Sequence, residues 1–122
     1  MNRSTRCFSA ILLPFLGFAS GCHSYRVDAT VENRTGAAIE LLEVDYPSAS
    51  FGTDRLIADA SYHYRFQVRG SGPIKVQYND SSTHQLRQMT GPELVERQEG
   101  RMDIVLLPGG KAEFHPILTP QR

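Results

Sequence analysis

Apolar and polar residues alternate along most of the chain after residue 24, and turn residues interrupt the alternation. In the segment YRVDATVE, Tyr25, Val27, Ala29 and Val31 fall on one face, with charged or polar residues on the other. A period of two residues with a single apolar face is typical of a half-buried β-strand. The pattern recurs between Gly, Pro, Asn and Asp turns and predicts seven or eight short strands.

A central hairpin is predicted within YHYRFQVRGSGPIKVQYND (62–80), because both of its segments alternate. Matching apolar faces set the register of paired strands. Phe66 would then oppose Val76, and Val68 would oppose Ile74. The loop between them, GSG, has a length that is common in hairpins, and its glycines can adopt the left-handed conformation.

A second hairpin is predicted within RMDIVLLPGGKAEFH (101–115) by the same reasoning. Ile104 would oppose Phe114 and Leu106 would oppose Ala112, around the loop PGG. On the outward face of this hairpin, Asp103 and His115 would lie opposite each other.

A change of phase occurs in AAIELLEVDY (37–46), where the apolar positions shift between Leu41 and Leu42. Such a shift predicts a β-bulge, or a strand that passes between two packing environments. Weaker patterns are two short strand candidates, TDRLI (53–57) and THQLRQM (83–89), and GPELVERQEG (91–100), which fits one or two helical turns or a surface loop.

The predicted fold class is all-β: a single antiparallel β-sandwich over residues 25–116, followed by an extended tail at 117–122. An immunoglobulin-like sandwich is favoured, although the cysteine–tryptophan–cysteine pattern of antibody domains is missing. The segment VENRTGAAIELLEV (31–44) is similar to the first hairpin of many bacterial immunoglobulin-like modules.

Residues 1–21 have the layout of a secretory signal peptide. Arg3 and Arg6 form a positively charged start, an apolar run covers residues 8–19, and small residues follow. The run is shorter than the about 20 apolar residues that a membrane-spanning helix needs. We therefore expect export and removal of this segment.

The segment ASGC (19–22) resembles the lipobox of bacterial lipoproteins, although Ala19 stands where that family prefers leucine. The resemblance implies cleavage before Cys22, a diacylglycerol on its thiol and further acylation of the new amino terminus. His23 after the cysteine, rather than aspartate, implies the outer membrane facing the periplasm. Residues 22–24 would be the lipidated cysteine and a tether of roughly 10 Å. Residues 19–21 also suit an ordinary signal peptidase, which would leave a soluble periplasmic protein with a free thiol.

Removal of residues 1–21 changes what the composition implies. Arg3, Arg6 and Cys7 leave with the signal peptide, so the mature chain has 11 basic and 13 acidic residues, a net charge of −2. Cys22 is then the only cysteine and no intramolecular disulfide can form, which leaves packing to hold the domain together. Export and a near-neutral charge make nucleic acid an unexpected partner.

The outward face of the central hairpin is the candidate binding surface, and we call it the predicted polar face. Its three fixed positive charges suit lipid phosphates or cell-wall carboxylates, although a solvated sheet face would look the same. No catalytic residue, cofactor or metal site is predicted, because the histidines have no ligand spacing and no nucleophile motif is present. The predicted polar face comprises His63, Arg65, Gln67, Arg69, Lys75, Gln77 and Asn79.

The expected function is therefore that of a membrane-anchored, non-catalytic envelope lipoprotein that serves as a binding or assembly module. Its partners would be the lipid bilayer, through acylated Cys22, and an envelope protein or cell-wall polymer. Two alternatives stay open: a periplasmic carrier of a small ligand or metal, and an envelope hydrolase assembled from residues distant in sequence.

Intact mass spectrometry of protein from the membrane fraction tests the anchor. We expect the mass of residues 22–122 plus acyl groups, because two or three acyl chains hold a protein in the bilayer firmly. A Cys22→Ser variant should lose the added mass and leave the membrane fraction. A soluble product of residues 22–122 with a free thiol would contradict the prediction.

Overall fold

A computed structural model describes residues 23–119, which are all-β, with eight strands and no helix. The strands are β1 (Val27–Asn33), β2 (Ile39–Tyr46), β3 (Ala49–Leu56), β4 (Ser61–Phe66), β5 (Gly72–Asp80), β6 (Leu86–Leu94), β7 (Gly100–Leu107) and β8 (Lys111–Leu118). The signal peptide, Cys22 and residues 120–122 lie outside the described residues, so what is expected of them stays a prediction. In the described part of the chain, no helix is long and apolar enough to span a membrane.

The strands form two four-stranded sheets that pack face to face. Sheet 1 has the order β4-β1-β7-β8 and sheet 2 the order β3-β2-β5-β6. All neighbouring strands are antiparallel except β1 and β7, which are parallel. The predicted β-sandwich is confirmed.

The strand order differs from that of an immunoglobulin constant domain. In that fold the first, second, fifth and fourth strands share one sheet, and the third, sixth and seventh share the other. Here the first two strands lie in different sheets, so the segment 31–44 is a crossover between sheets and not a hairpin. The likeness to immunoglobulin domains therefore holds for the architecture and not for the topology.

Alternation places the apolar residues of each strand in the core between the sheets. Val27, Ala29 and Val31 of β1 are buried, as are Ile74 and Val76 of β5. Burial of such side chains contributes roughly 25 cal/mol per Å² of apolar surface removed from water. The polar residues between them face solvent.

The β7–β8 hairpin has the predicted register. Ile104 pairs with Phe114 and Leu106 with Ala112. The turn at residues 108–110 joins the two strands. The hairpin reasoning is correct here because both strands belong to the same sheet.

The predicted hairpin of β4 and β5 is wrong. β4 pairs with β1 in sheet 1, whereas β5 pairs with β2 and β6 in sheet 2. Val68, which continues the alternation of β4 in the sequence, lies after the strand has ended and is 1% exposed. Val68 is buried in the crossover between the sheets, as it would also be in a hairpin. The apolar pattern therefore could not distinguish the two arrangements.

The predicted phase change in β2 is confirmed as a bulge. The register with β5 shifts between Glu40 and Glu43. Leu41 has a φ of 50° and is 60% exposed, whereas Leu42 is 2% exposed. The positive φ turns one leucine out of the core and returns the next to it.

The weaker sequence patterns resolve into strands and one turn. The segments 53–57 and 83–89 supply parts of β3 and β6, and residues 91–94 are strand rather than helix. Gly91 is required there, because a Cβ would lie 2.6 Å from ring carbons of Phe114 in β8. β8 continues to Leu118, so residues 117 and 118, which were expected in the tail, belong to a strand.

The connections lie at two opposite ends of the sandwich. The tether end holds residues 23–26, where the chain leads back to Cys22, and residue 119; it also holds the connections 47–48, 67–71 and 95–99. At this end His23 Nε2 lies 2.9 Å from Glu99 Oε2, and Thr119 N donates to the Glu99 carbonyl at 2.8 Å. The far end holds the connections 34–38, 57–60, 81–85 and 108–110.

Asn33 is the one polar residue among the described ones that is buried in the core region, and it joins three segments of the far end. Its Nδ2 donates to the carbonyls of Ala37, Leu56 and Ile57 at 2.8, 3.0 and 3.2 Å. Its Oδ1 accepts from the amide and the hydroxyl of Thr35 at 3.1 and 2.7 Å. One side chain thus satisfies backbone groups that two crossovers between the sheets leave without ladder partners.

Replacement of Asn33 by alanine should lower the free energy of unfolding by about 3 kcal/mol, because several buried backbone groups would lose their partner. Urea unfolding at neutral pH measures the change. Asn79→Ala is the matched control: Asn79 is half-buried on a strand of sheet 2 and makes no recorded side-chain hydrogen bond within the described residues. Equal and small losses for both variants would contradict the role assigned to Asn33.

Candidate functional site

The residues of the predicted polar face do not form one surface, because β4 and β5 lie in different sheets. The prediction that these residues form one positively charged surface is therefore wrong. Any binding role of its residues stays a prediction. His63 and Arg65 lie on the outer face of sheet 1, Gln67 and Arg69 lie in the connection between the sheets, and Lys75, Gln77 and Asn79 lie on the outer face of sheet 2.

β4 is an edge strand whose two faces differ in chemistry. Tyr62, Tyr64 and Phe66 point towards the other sheet, and His63 and Arg65 point to solvent. This division follows directly from the alternation in the sequence. β4 is an edge strand because β1 is its one neighbour in sheet 1.

The outward side chains of β4 contact side chains of the neighbouring strand β1. Arg65 Nε donates to Asp28 Oδ1 at 2.8 Å, and Thr30 Oγ1 lies 3.0 Å from His63 Nδ1. The hydrogen bond from Arg65 and its charge lower the pKa of Asp28. Both groups of this ion pair are exposed, and such pairs contribute little to stability. Their effect is to hold the side chains of β4 over its neighbour and away from its free edge.

The free edge of β4 presents backbone groups that have no partner strand among residues 23–119. Asn33 N donates to the Ala60 carbonyl at 2.9 Å, which fixes the phase of the β1–β4 ladder. Residues of an antiparallel strand point their N–H and C=O alternately towards and away from the neighbour. Ser61, His63 and Arg65 therefore direct their backbone N–H and C=O groups outwards.

Three of the four edge strands contain a residue that discourages pairing with a further strand. β8 contains Pro116 and β6 contains Pro92, and proline lacks the N–H that a ladder needs. β3 contains Gly52, which weakens a strand. β4 has neither glycine nor proline, and all its residues pair with β1 without a register shift. It is the one regular edge in the described part of the chain.

Aromatic side chains fill the gap between β4 and β3, the edge strands on this side of the sandwich. The rings of Phe51 and Tyr64 stack with centroids 4.6 Å apart, and Phe51 lies 6.3 Å from Tyr62. Deeper in, Tyr46 and Phe66 are 4.2 Å apart. Tyr64 keeps 40% of its surface exposed, which leaves an apolar ring beside the free backbone groups. The sequence shows these aromatics but does not show that they border an open edge.

The outer face of sheet 2 is acidic and amide-rich instead of positively charged. Gln77 Nε2 donates to Glu43 Oε2 at 3.3 Å, and Gln88 Nε2 donates to Gln77 Oε1 at 3.2 Å. Asp45 raises the pKa of Glu43, through a hydrogen bond to the protonated carboxyl and through its charge. Lys75 is paired in register with Asp45, so its charge lies beside a carboxylate.

The histidines are dispersed over the domain. His63 and His115 lie on opposite edge strands of sheet 1, His84 lies at the far end and His23 at the tether end. In the described residues, no three His, Cys, Asp or Glu side chains are placed to hold a metal ion.

Comparison of the chain with protein-family models gave no match, and searches of characterised proteins and of solved structures gave none either. The surface of this domain must therefore be interpreted from its own geometry.

The Glu43–Asp45 pair predicts a dependence of stability on pH. A carboxyl whose pKa is raised by folding costs stability as the pH rises from its ordinary value of 4.5 towards the value in the folded protein. Glu43→Gln should therefore stabilise the domain more at pH 7 than at pH 3, measured as the difference in urea midpoint from the native protein. Glu40→Gln makes the same chemical change on the same strand. An identical pH dependence for both variants would contradict the prediction.

Proposed function

We propose that this protein is a membrane-anchored binding or assembly module of the bacterial cell envelope, which takes an extended segment of a partner protein onto the free edge of β4. The lipobox resemblance at residues 19–22 supports the anchor, and His23 after the cysteine, rather than aspartate, supports the outer membrane. The observation that carries the binding surface is the regular, unprotected edge of β4.

Strand addition uses backbone hydrogen bonds for affinity and alternate side chains for specificity. Natural sheets discourage it at edges by proline, bulges and interruptions. Pro116 in β8 and Pro92 in β6 are protections of that kind, both on the side of the sandwich away from β4. Such a contrast between the two sides is what a protein needs when one edge must stay open for a partner.

The chemistry of β4 also describes the partner. Every second side chain of an added strand would lie beside Tyr62 and Tyr64, so apolar or aromatic residues are expected there. The intervening side chains would lie beside His63 and Arg65, so polar or acidic residues are expected. The partner segment should alternate over about six residues, the length of β4.

Photocrosslinking in the native host tests the proposal. A photoreactive phenylalanine analogue would replace either His63 in β4 or His115 in β8, which are both exposed on the outer face of sheet 1. We expect a discrete crosslinked partner from position 63, at least several-fold more abundant than from position 115. Mass spectrometry of the product would identify the partner and the segment that is attached.

A proline at position 63 distinguishes strand addition from side-chain contact. The His63 N–H points to the free edge, so His63→Pro removes no hydrogen bond to β1 and should leave the urea midpoint close to the native value. With the photoreactive residue moved to position 61, the crosslink should be lost in the His63→Pro background. A crosslink that persists, or equal crosslinks from positions 63 and 115, would overturn the proposed function.

A further inference from the structure

The tether end of the sandwich carries three exposed arginines on three separate connections. Arg26 precedes β1, Arg69 lies between β4 and β5, and Arg97 lies between β6 and β7. Within the described residues, none of them takes part in an ion pair. Arg69 donates one long hydrogen bond of 3.4 Å to the side-chain oxygen of Gln67. Their guanidinium groups are therefore available to an external anion.

The charge of the domain is unevenly distributed along its long axis. The described residues hold ten arginines and lysines against thirteen acidic residues, because Arg3, Arg6 and Arg122 fall outside them. The connections of the tether end nevertheless have a net charge of +1, since Arg26, Arg69 and Arg97 outnumber Glu96 and Glu99. Glu99 is also bound by His23. The other residues of the described range 23–119 together have a charge of −4, since the range as a whole has −3.

A shallow groove of about 660 Å³ lies at this end, between the start of β1 and the end of β8. Ser24 and Arg26 line one part of it, and Ile117 and Leu118 line another. Two carboxylates also line it, and each already has a partner: Arg65 binds Asp28, and His23 binds Glu99. Ile117 is 60% exposed. An apolar side chain and the guanidinium of Arg26, which has no ion pair among the described residues, therefore line the same surface groove. This combination suits the headgroup region of a bilayer, where phosphates and the first apolar carbons are close together.

We propose that the tether end is a lipid-facing surface, on which Arg26, Arg69 and Arg97 bind phosphates of anionic lipid headgroups and hold the sandwich upright on the membrane. The inference rests on the proposed anchor at Cys22, one residue before the described part begins. An extended chain spans at most about 3.6 Å per residue, so Arg26, four residues after Cys22, would lie within about 14 Å of the acylated residue. Arg69 and Arg97 lie at the same end of the sandwich.

Site-directed fluorescence on vesicles tests this orientation. The chain contains no tryptophan, and Cys22 is its sole cysteine once Cys7 is removed. Residues 22–122 include every strand, and Cys22 can be coupled to a maleimide lipid whatever its fate in the cell. Ser71→Trp places a probe at the tether end and Thr83→Trp places one at the far end. Lipids brominated close to the headgroup quench whichever probe lies against the bilayer.

On vesicles that contain phosphatidylglycerol, we expect Ser71→Trp to be quenched several-fold more than Thr83→Trp, and more than on pure phosphatidylcholine. The triple variant Arg26→Gln, Arg69→Gln, Arg97→Gln should lower the equilibrium constant for the upright state about 100-fold, since each arginine near an anionic surface contributes roughly 5-fold. Quenching of Ser71→Trp should then fall to its level on phosphatidylcholine.

A control variant changes the same number of charges at the far end: Arg34→Gln, Arg55→Gln, Lys111→Gln. It should leave the quenching of Ser71→Trp unchanged. Equal quenching of both probes, equal effects of the two triple variants, or quenching that does not depend on phosphatidylglycerol would overturn the inference. Because coupling is chemical, these outcomes do not depend on acylation, whose failure would appear only in the intact mass of the cellular protein.

Discussion

The buried amide of Asn33 is the constraint on which the arrangement of this sandwich depends. Two connections, 34–38 and 57–60, leave one sheet for the other at the far end. A chain that leaves a sheet takes its backbone groups out of the ladder. Asn33 supplies partners to the segments at both crossings. Its own backbone amide bonds to Ala60, at the start of the approach to β4. The same residue that closes the far end therefore also aligns β4 against β1.

That alignment determines which surfaces the domain presents. Once β4 pairs with β1 on one side, its other side is an edge, and its aromatic face closes the gap to β3. On the opposite side of the sandwich, Phe114 packs over Gly91, where no other residue fits. The two sides of the sandwich are thus closed differently. Between β6 and β8, which both contain proline, an aromatic ring packs against a glycine. Between β3 and β4, stacked aromatic rings lie beside the open edge of β4.

The sequence predicts which residues are buried more reliably than it predicts which strands are neighbours. Alternation identifies the inward face of a strand, and the core residues of β1, β5 and β7 follow from it directly. The bulge at Leu41 and Leu42 is also visible, since it is a local break in the same pattern. Alternation cannot say to which sheet a strand belongs, because the inner faces of both sheets meet in one core. Val68 and Ile74 are buried whether or not β4 and β5 form a hairpin.

The candidate site shows the same limit. Tyr62 and Tyr64 share a face with Phe66 by alternation. Their position at an edge depends on long-range pairing that no local pattern encodes. Pro92 and Pro116 are visible in the sequence, but their meaning as edge protection appears only when the edge strands are known.

The two proposed surfaces together restrict how a partner could approach. If the tether end rests on the bilayer, the strands run away from the membrane, and β5 with its nine residues places the far end roughly 30 Å above it. The free edge of β4 then stands along the membrane normal and begins next to the headgroups. A segment that pairs with all of it must extend for about 20 Å in the same direction. A partner segment that lies flat on the membrane could reach only the end of β4 at Phe66, so the geometry favours a segment that rises from the bilayer into the periplasm or descends towards it.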